Sequence, residues 1–107
     1  MSTITWPGKG SRKHKFTLYD IGTDFRAIGA CYIFTKESTS GKWTAIYVGQ
    51  TSDLSERFDN HHAMPCIKKN GATHICVYTE GMRDAVERRK LERELIDRLD
   101  PPCNKKG

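Results

Sequence analysis

The chain has 107 residues, 36% of them hydrophobic, which suits one domain with a modest core and leaves little room for a second. Eighteen Lys and Arg against 13 Asp and Glu give a formal charge of +5, which favours a polyanionic partner, nucleic acid first. No apolar run approaches the roughly 18 residues of a membrane span, and no charged-then-apolar leader opens the chain, so a soluble cytoplasmic protein with no membrane partner is expected.

Residues 1–25 read as a basic N-terminal arm: Pro7, Gly8 and Gly10 break it, and "SRKHK" supplies Arg12, Lys13 and Lys15 as candidate phosphate contacts. "FTLYDIG" (16–22) suits a short additional strand. The domain proper is expected over 26–105. "IGACYIFT" (28–35) is an apolar, aromatic run typical of a buried strand, "KESTSGK" (36–42) a hairpin loop, and "WTAIYVG" (43–49) the returning strand. With the turn centred between Thr39 and Ser40, Tyr32 lies directly opposite Tyr47, so both phenols share one face of the sheet.

A helix is expected from Ser52 or Asp53, because Asp53-Leu-Ser-Glu56 has capping-box spacing and Leu54 and Phe58 form an i, i+4 stripe. Arg57 flanks that stripe, His61 follows one turn later, and Pro65 argues for a stop near Met64. Lys68 and Lys69 add two candidate phosphate contacts. "ATHICVYT" (72–79) alternates as a third strand, and residues 82–99 form a long helix ended by Pro101 and Pro102. Trp43, Phe34 and Phe58 read as packing residues. The fold class is α+β with layered helices: a small antiparallel three-stranded sheet flanked by helices.

Two features of this pattern carry chemistry. Projected at about 100° per residue from Leu91, Glu92 falls at about 100°, inside the arc of Leu95, Leu99 and Ile96. A carboxylate buried there requires a cation, a metal or a shifted pKa. An intrahelical pair with Arg88 contributes only about 0.2–0.5 kcal/mol, too little to offset full burial. The cysteines, at 31, 66, 76 and 103, lack any C-x-x-C pair. The groups His61-His62-x3-Cys66 and His74-x-Cys76 leave a zinc-stabilised interaction protein as one alternative, while Cys31 and Cys76 suit small apolar strand positions in a reducing cytoplasm.

Taken in order, Tyr32 in "ACY", Tyr47 and Gly49 in "YVG", Arg57, Glu92 in "LERELI" and Asn104 in "PPCN" resemble the GIY-YIG nuclease family over about residues 28–104. The resemblance implies a metal-dependent endonuclease that hydrolyses DNA phosphodiester bonds with Mg2+ or Mn2+; RNA stays open as a substrate. It implies Tyr32 as general base, Tyr47 orienting water or phosphate, Arg57 steadying the scissile phosphate and Glu92 holding the metal. Asn104 supports the site, and His61 stands where several members carry a histidine. The chain departs from the family pattern at Ala30-Cys31, where Gly-Ile is usual, and at Gln50, where many members have lysine. These departures, and the DNA-binding domain that larger relatives append, leave two alternatives: a catalytically silent nucleic-acid-binding module of the same fold, or a nuclease that takes specificity from a partner protein.

Overall fold

The computed structural model describes residues 2–56, 58 and 61–105. Its elements, in chain order, are β1 (Thr3–Pro7), β2 (Lys13–Asp20), β3 (Ala30–Glu37), β4 (Trp43–Thr51), α1 (Met64–Lys69), β5 (His74–Tyr78) and α2 (Ala85–Leu99), followed by a 3-10 turn at Pro102–Asn104. All five strands join one antiparallel sheet in the order β1-β2-β5-β3-β4. The expectation of three strands therefore counts too few. The additional strand expected at 16–22 overlaps β2, which starts earlier at Lys13, while β1 lies wholly in the stretch read as a basic arm; there Phe16 is fully buried and Trp6 is only 6% exposed. Lys13 and Lys15 alternate with His14 and Phe16, so one side of β2 is solvated while the other enters the core.

Interior strand β3 buries all six residues from Ala30 to Thr35, as expected of a strand covered on both faces. Cys31 and Ile33 meet Val48, Cys76, Leu91 and Leu95 on the face covered by α2. Tyr32 and Phe34 meet Tyr47, Leu54, Ile67 and Ile75 on the opposite face, beside α1. Cys31 and Cys76 are fully buried, and burial pushes both thiols up to about 12.

The β3–β4 register corrects the expected hairpin. Tyr32 faces Gly49, and Tyr47 faces Phe34, with an irregularity between Phe34 and Thr35. The displacement at Tyr32 is two residues, an even number, so both tyrosines stay on one face. The helix expected from residue 52 is absent among the described residues there, which form turns and bends. Asp53 Oδ1 accepts from Ser55 N–H at 2.9 Å, so the capping-box residues close a local turn. Pro65 lies in the first turn of α1, where its missing N–H costs nothing; it marks a helix start, not a stop.

Helix α2 begins at Ala85, later than expected, with Asp84 accepting from the N–H groups of Val86 and Glu87. It ends at Asp100, in the left-handed conformation (φ 48°), just before the prolines. No described helix is long and apolar enough to cross a membrane.

Candidate active site

The site is built on the α1 face of the sheet around Tyr32, which is 3% exposed. Its ring lies 6.2 Å from Tyr47, 4.9 Å from Phe58 and 5.9 Å from Phe34 by ring centroids. Gly49, its cross-strand partner, is there for a steric reason. A Cβ at that position would stand 2.5 Å from both Cζ and Oη of Tyr32. The glycine of "YVG" is the recess in which the first tyrosine rests.

Tyr32 Oη is 2.9 Å from His61 Nε2, and His61 Nδ1 accepts from Ala63 N–H at 3.0 Å. With Nδ1 occupied as acceptor, the neutral ring carries its proton on Nε2, so the hydrogen-bond network assigns His61 as donor to the phenol oxygen. Burial, then the neighbouring His62, lowers the His61 pKa and favours this neutral form. The imidazole of His61 also stacks on His62 at 4.6 Å and meets Tyr47 edge-on at 4.9 Å. The donated bond favours phenolate, yet burial, the Tyr47 phenol and the Glu92 charge together hold the Tyr32 pKa well above the usual phenol range.

Glu92 projects from α2, which packs against both β3 and β4, and β4 is an edge strand. The carboxyl is half-buried and has no hydrogen-bond or ion-pair partner among the described residues. Burial raises its pKa, with Arg93 pulling modestly the other way. After burial, its charge is the cause that raises Tyr47. The acid thus stands within electrostatic reach of both phenols although it comes from a helix on the other side of the sheet.

Arg88 does not pair with Glu92. It is 7% exposed and donates to Gln50 Oε1 at 2.9 Å, Met82 O at 2.9 Å and Arg83 O at 3.1 Å. The helical projection contained this signal: Arg88 falls at about 60°, between Leu95 and Leu99, deeper in the apolar arc than Glu92. Gln50, where the family often has lysine, is consequently turned to the α2 face and held by a buried guanidinium.

Asn104 closes the free edge of β4. It accepts from Val48 N–H and donates to Val48 O, both at 2.8 Å, as a neighbouring strand would. Val48 lies between Tyr47 and Gly49, so the amide fixes the backbone that carries both. Replacing Asn104 with Ala leaves a donor and an acceptor unmet, and urea melts are expected to show a loss of about 1–3 kcal/mol. A disulfide between Cys66 and Cys103 (Cα–Cα 5.7 Å) ties this turn to α1. Cys66 is therefore no free thiolate for zinc, and Cys76 is buried in the core, which overturns both proposed ligand groups. Among the described residues no three His, Cys, Asp or Glu side chains converge on a common point.

Arg57 lies outside the described residues. Lys68 and Lys69 close α1 and are exposed. Val77 is paired with both Tyr32 and Thr17, so Thr17, and with it Lys15 and Lys13, face the same side as the tyrosines. Arg12 stands apart in the β1–β2 turn, beside Glu94 of α2.

The site thus holds two tyrosines on one sheet face, a carboxylate within electrostatic reach of them that has no partner among the described residues, and an asparagine clasping the edge strand. The family model for the GIY-YIG catalytic domain matches residues 28–106, and the chain belongs to that family. Members of the family are nucleases that generally use divalent metals and act on nucleic acid. No curated protein and no solved structure gives a significant match to the chain.

Proposed function

We propose that the chain is a divalent-metal-dependent endonuclease hydrolysing DNA phosphodiester bonds, with residues 26–105 as the nuclease unit. The observation that carries this reading is the half-buried Glu92 carboxylate, without a protein partner among the described residues, whose charge reaches both phenols of the Tyr32–Tyr47–His61 cluster. A lone carboxylate completed by waters is how magnesium is commonly held, so the donor set fits Mg2+ or Mn2+ and not a closed structural zinc site. When bound, the metal supplies positive charge that stabilises charge developing on the reacting phosphate and leaving oxygen.

The remaining roles fall to the chain's own groups. Once the Tyr32 phenol has released its proton to solvent, the phenolate, steadied by the His61 Nε2–H, takes a proton from the attacking water. Tyr47 orients water or phosphate, while Arg57 clamps the phosphate with its planar fork. Asn104 and Gly49 hold the two tyrosines in place. Lys13, Lys15, Lys68 and Lys69 contact flanking phosphates, with Arg12 contributing from the turn, and a partner protein supplies sequence or structure preference.

The silent-module alternative rests on one observation: Gln50 is committed to Arg88 and gives the site no positive charge. Incubation with plasmid, nicked, branched and single-stranded DNA in Mg2+, Mn2+ or EDTA separates the two. Cutting that EDTA abolishes supports the nuclease; binding without cutting in every metal leaves the module.

The pH profile is a second check. Because the metal-free Glu92 carboxyl titrates above the usual carboxylate range, protons are expected to compete with the metal up to a higher pH than at an ordinary Glu, so metal affinity should weaken sooner on the acid side. Because the Tyr32 phenol is raised further, the rate is expected to keep climbing through alkaline pH without a plateau near 7. A flat profile from about pH 5 to 9, bracketing the neutral range where an unperturbed Glu is ionised and an unperturbed Tyr is not, would remove both groups from the rate law.

A further inference from the structure

On the outer side of α2 lies a shallow groove of about 570 Å³, lined by Lys9 and Arg12 of the β1–β2 turn and by Arg89, Lys90 and Arg93 of the helix, with exposed Val86 between them. Five cations share it with two acids. One acid, Glu94, is engaged: it accepts from Lys9 N–H at 2.9 Å, Arg12 Nη1 at 3.4 Å and His14 Nε2 at 2.9 Å, and its side chain is only 13% exposed. Gly8 presses so closely on Glu94 and His14 that a Cβ there would overlap the carboxylate. The turn is thus fastened to the helix, and Lys9 and Arg12 are presented from a fixed base instead of a loose tail. The second acid, Asp97, leaves an excess of positive charge along the groove.

The helix geometry relates this groove to the candidate active site. From Leu91 at zero, Glu92 lies at about 100°, Arg89 at about 160°, Arg93 at about 200° and Glu94 at about 300°. The helix surface therefore runs from the proposed metal carboxylate, through two arginines one turn apart, to the clamped turn. The β1–β2 hairpin that completes the groove (residues 3–20) lies outside the span matched by the family.

We propose that this groove binds the phosphodiester backbone of duplex DNA beside the cleavage site, the β1–β2 turn serving as a built-in DNA-contacting element. The proposal rests on the nuclease reading for its substrate. Five cations line the groove against two acids, with Arg12 paired to Glu94 and Lys90 3.8 Å from Glu87, and the positive excess that remains suits a polyanion that presents charge every ~1.7 Å along its axis; such contacts position DNA without reading sequence.

The test is a binding titration of a 30-base-pair duplex in EDTA, so that no outcome depends on cutting. The full chain is compared with the triple variant Arg89→Gln, Lys90→Gln, Arg93→Gln, with a turn variant Lys9→Gln, Arg12→Gln, and with a charge-matched control, Arg26→Gln, Lys36→Gln, Lys42→Gln. The groove triple is expected to weaken binding at least tenfold and to flatten the slope of log affinity against log salt by about 0.9 for each phosphate no longer neutralised. The turn variant should weaken binding in the same sense, and the control should retain most of the affinity. Equal losses in the groove and control triples would mean bulk charge alone and overturn the proposal, as would unchanged binding in the groove triple. Circular dichroism verifies that each variant is folded. Failure of cleavage with groove binding intact would instead count against the nuclease reading alone.

Discussion

Glu92→Gln is expected to abolish metal-dependent cleavage, by about 100-fold or more if the carboxylate holds the ion that stabilises the transition state, and at the same time to make the protein more stable at neutral pH. The two effects share one cause. Burial raises the Glu92 carboxyl above its ordinary value, so the folded state holds that proton more tightly than the unfolded chain does. Stability consequently falls as pH rises through the unfolded-state pKa toward the folded one, and stays lower above both. A neutral amide of the same shape removes that cost, and it also relieves the charge that helps to raise Tyr47 and Tyr32. Thermal melts in EDTA at pH 7 and pH 4 test the sign: the variant's advantage should be present at pH 7 and shrink at pH 4. Equal melting temperatures at both values, with cleavage retained, would return Glu92 to an ordinary helix surface position.

The conflict between stability and chemistry at Glu92 explains which parts of the site could be read from the sequence. A buried acid stands out against an apolar arc because the physics of desolvation makes it expensive. Tyr32 and Tyr47 were legible for a different reason. Their common face survives any even change of register, so the wrong pairing still delivered the right side of the sheet. Arg88 carried the same signal as Glu92, but its three acceptors, Gln50, Met82 O and Arg83 O, lie far along the chain or in a turn that periodicity does not describe. The β1–β2 hairpin was hidden by its own alternation. Lys13 and Lys15 dominate the composition of that stretch, while Phe16 and Trp6, the residues that anchor it, are isolated among charges and glycines. Local side-chain bonding defeated the expectation of a helix after Ser52: the Asp53 carboxylate that suited an N-cap closes a turn onto Ser55 instead. The Cys66–Cys103 pairing had no local signature at all, since 37 residues separate the two.

Gly49→Ala is expected to reduce cleavage by about 100-fold without replacing any group that meets the substrate, because misplacing a reacting side chain by about 1 Å can cost that much. The added methyl would stand 2.5 Å from the Tyr32 Cζ and Oη, and Tyr32 has nowhere easy to go. Its ring is enclosed by Phe34, Tyr47 and Phe58, and its hydroxyl is held at 2.9 Å by His61. Moving the phenol outward breaks that bond; moving the β4 backbone instead disturbs Val48 and both of its bonds to Asn104. Either response costs about 1–3 kcal/mol, the range for overpacking a filled site. A double-mutant cycle identifies the source. In a Tyr32→Ala background the methyl enters vacated space, so the added cost of Gly49→Ala in urea melts should largely vanish, giving a coupling of about 1 kcal/mol or more. A cost that persists unchanged in that background would place the requirement for glycine in the backbone of β4, and the first tyrosine would no longer explain it.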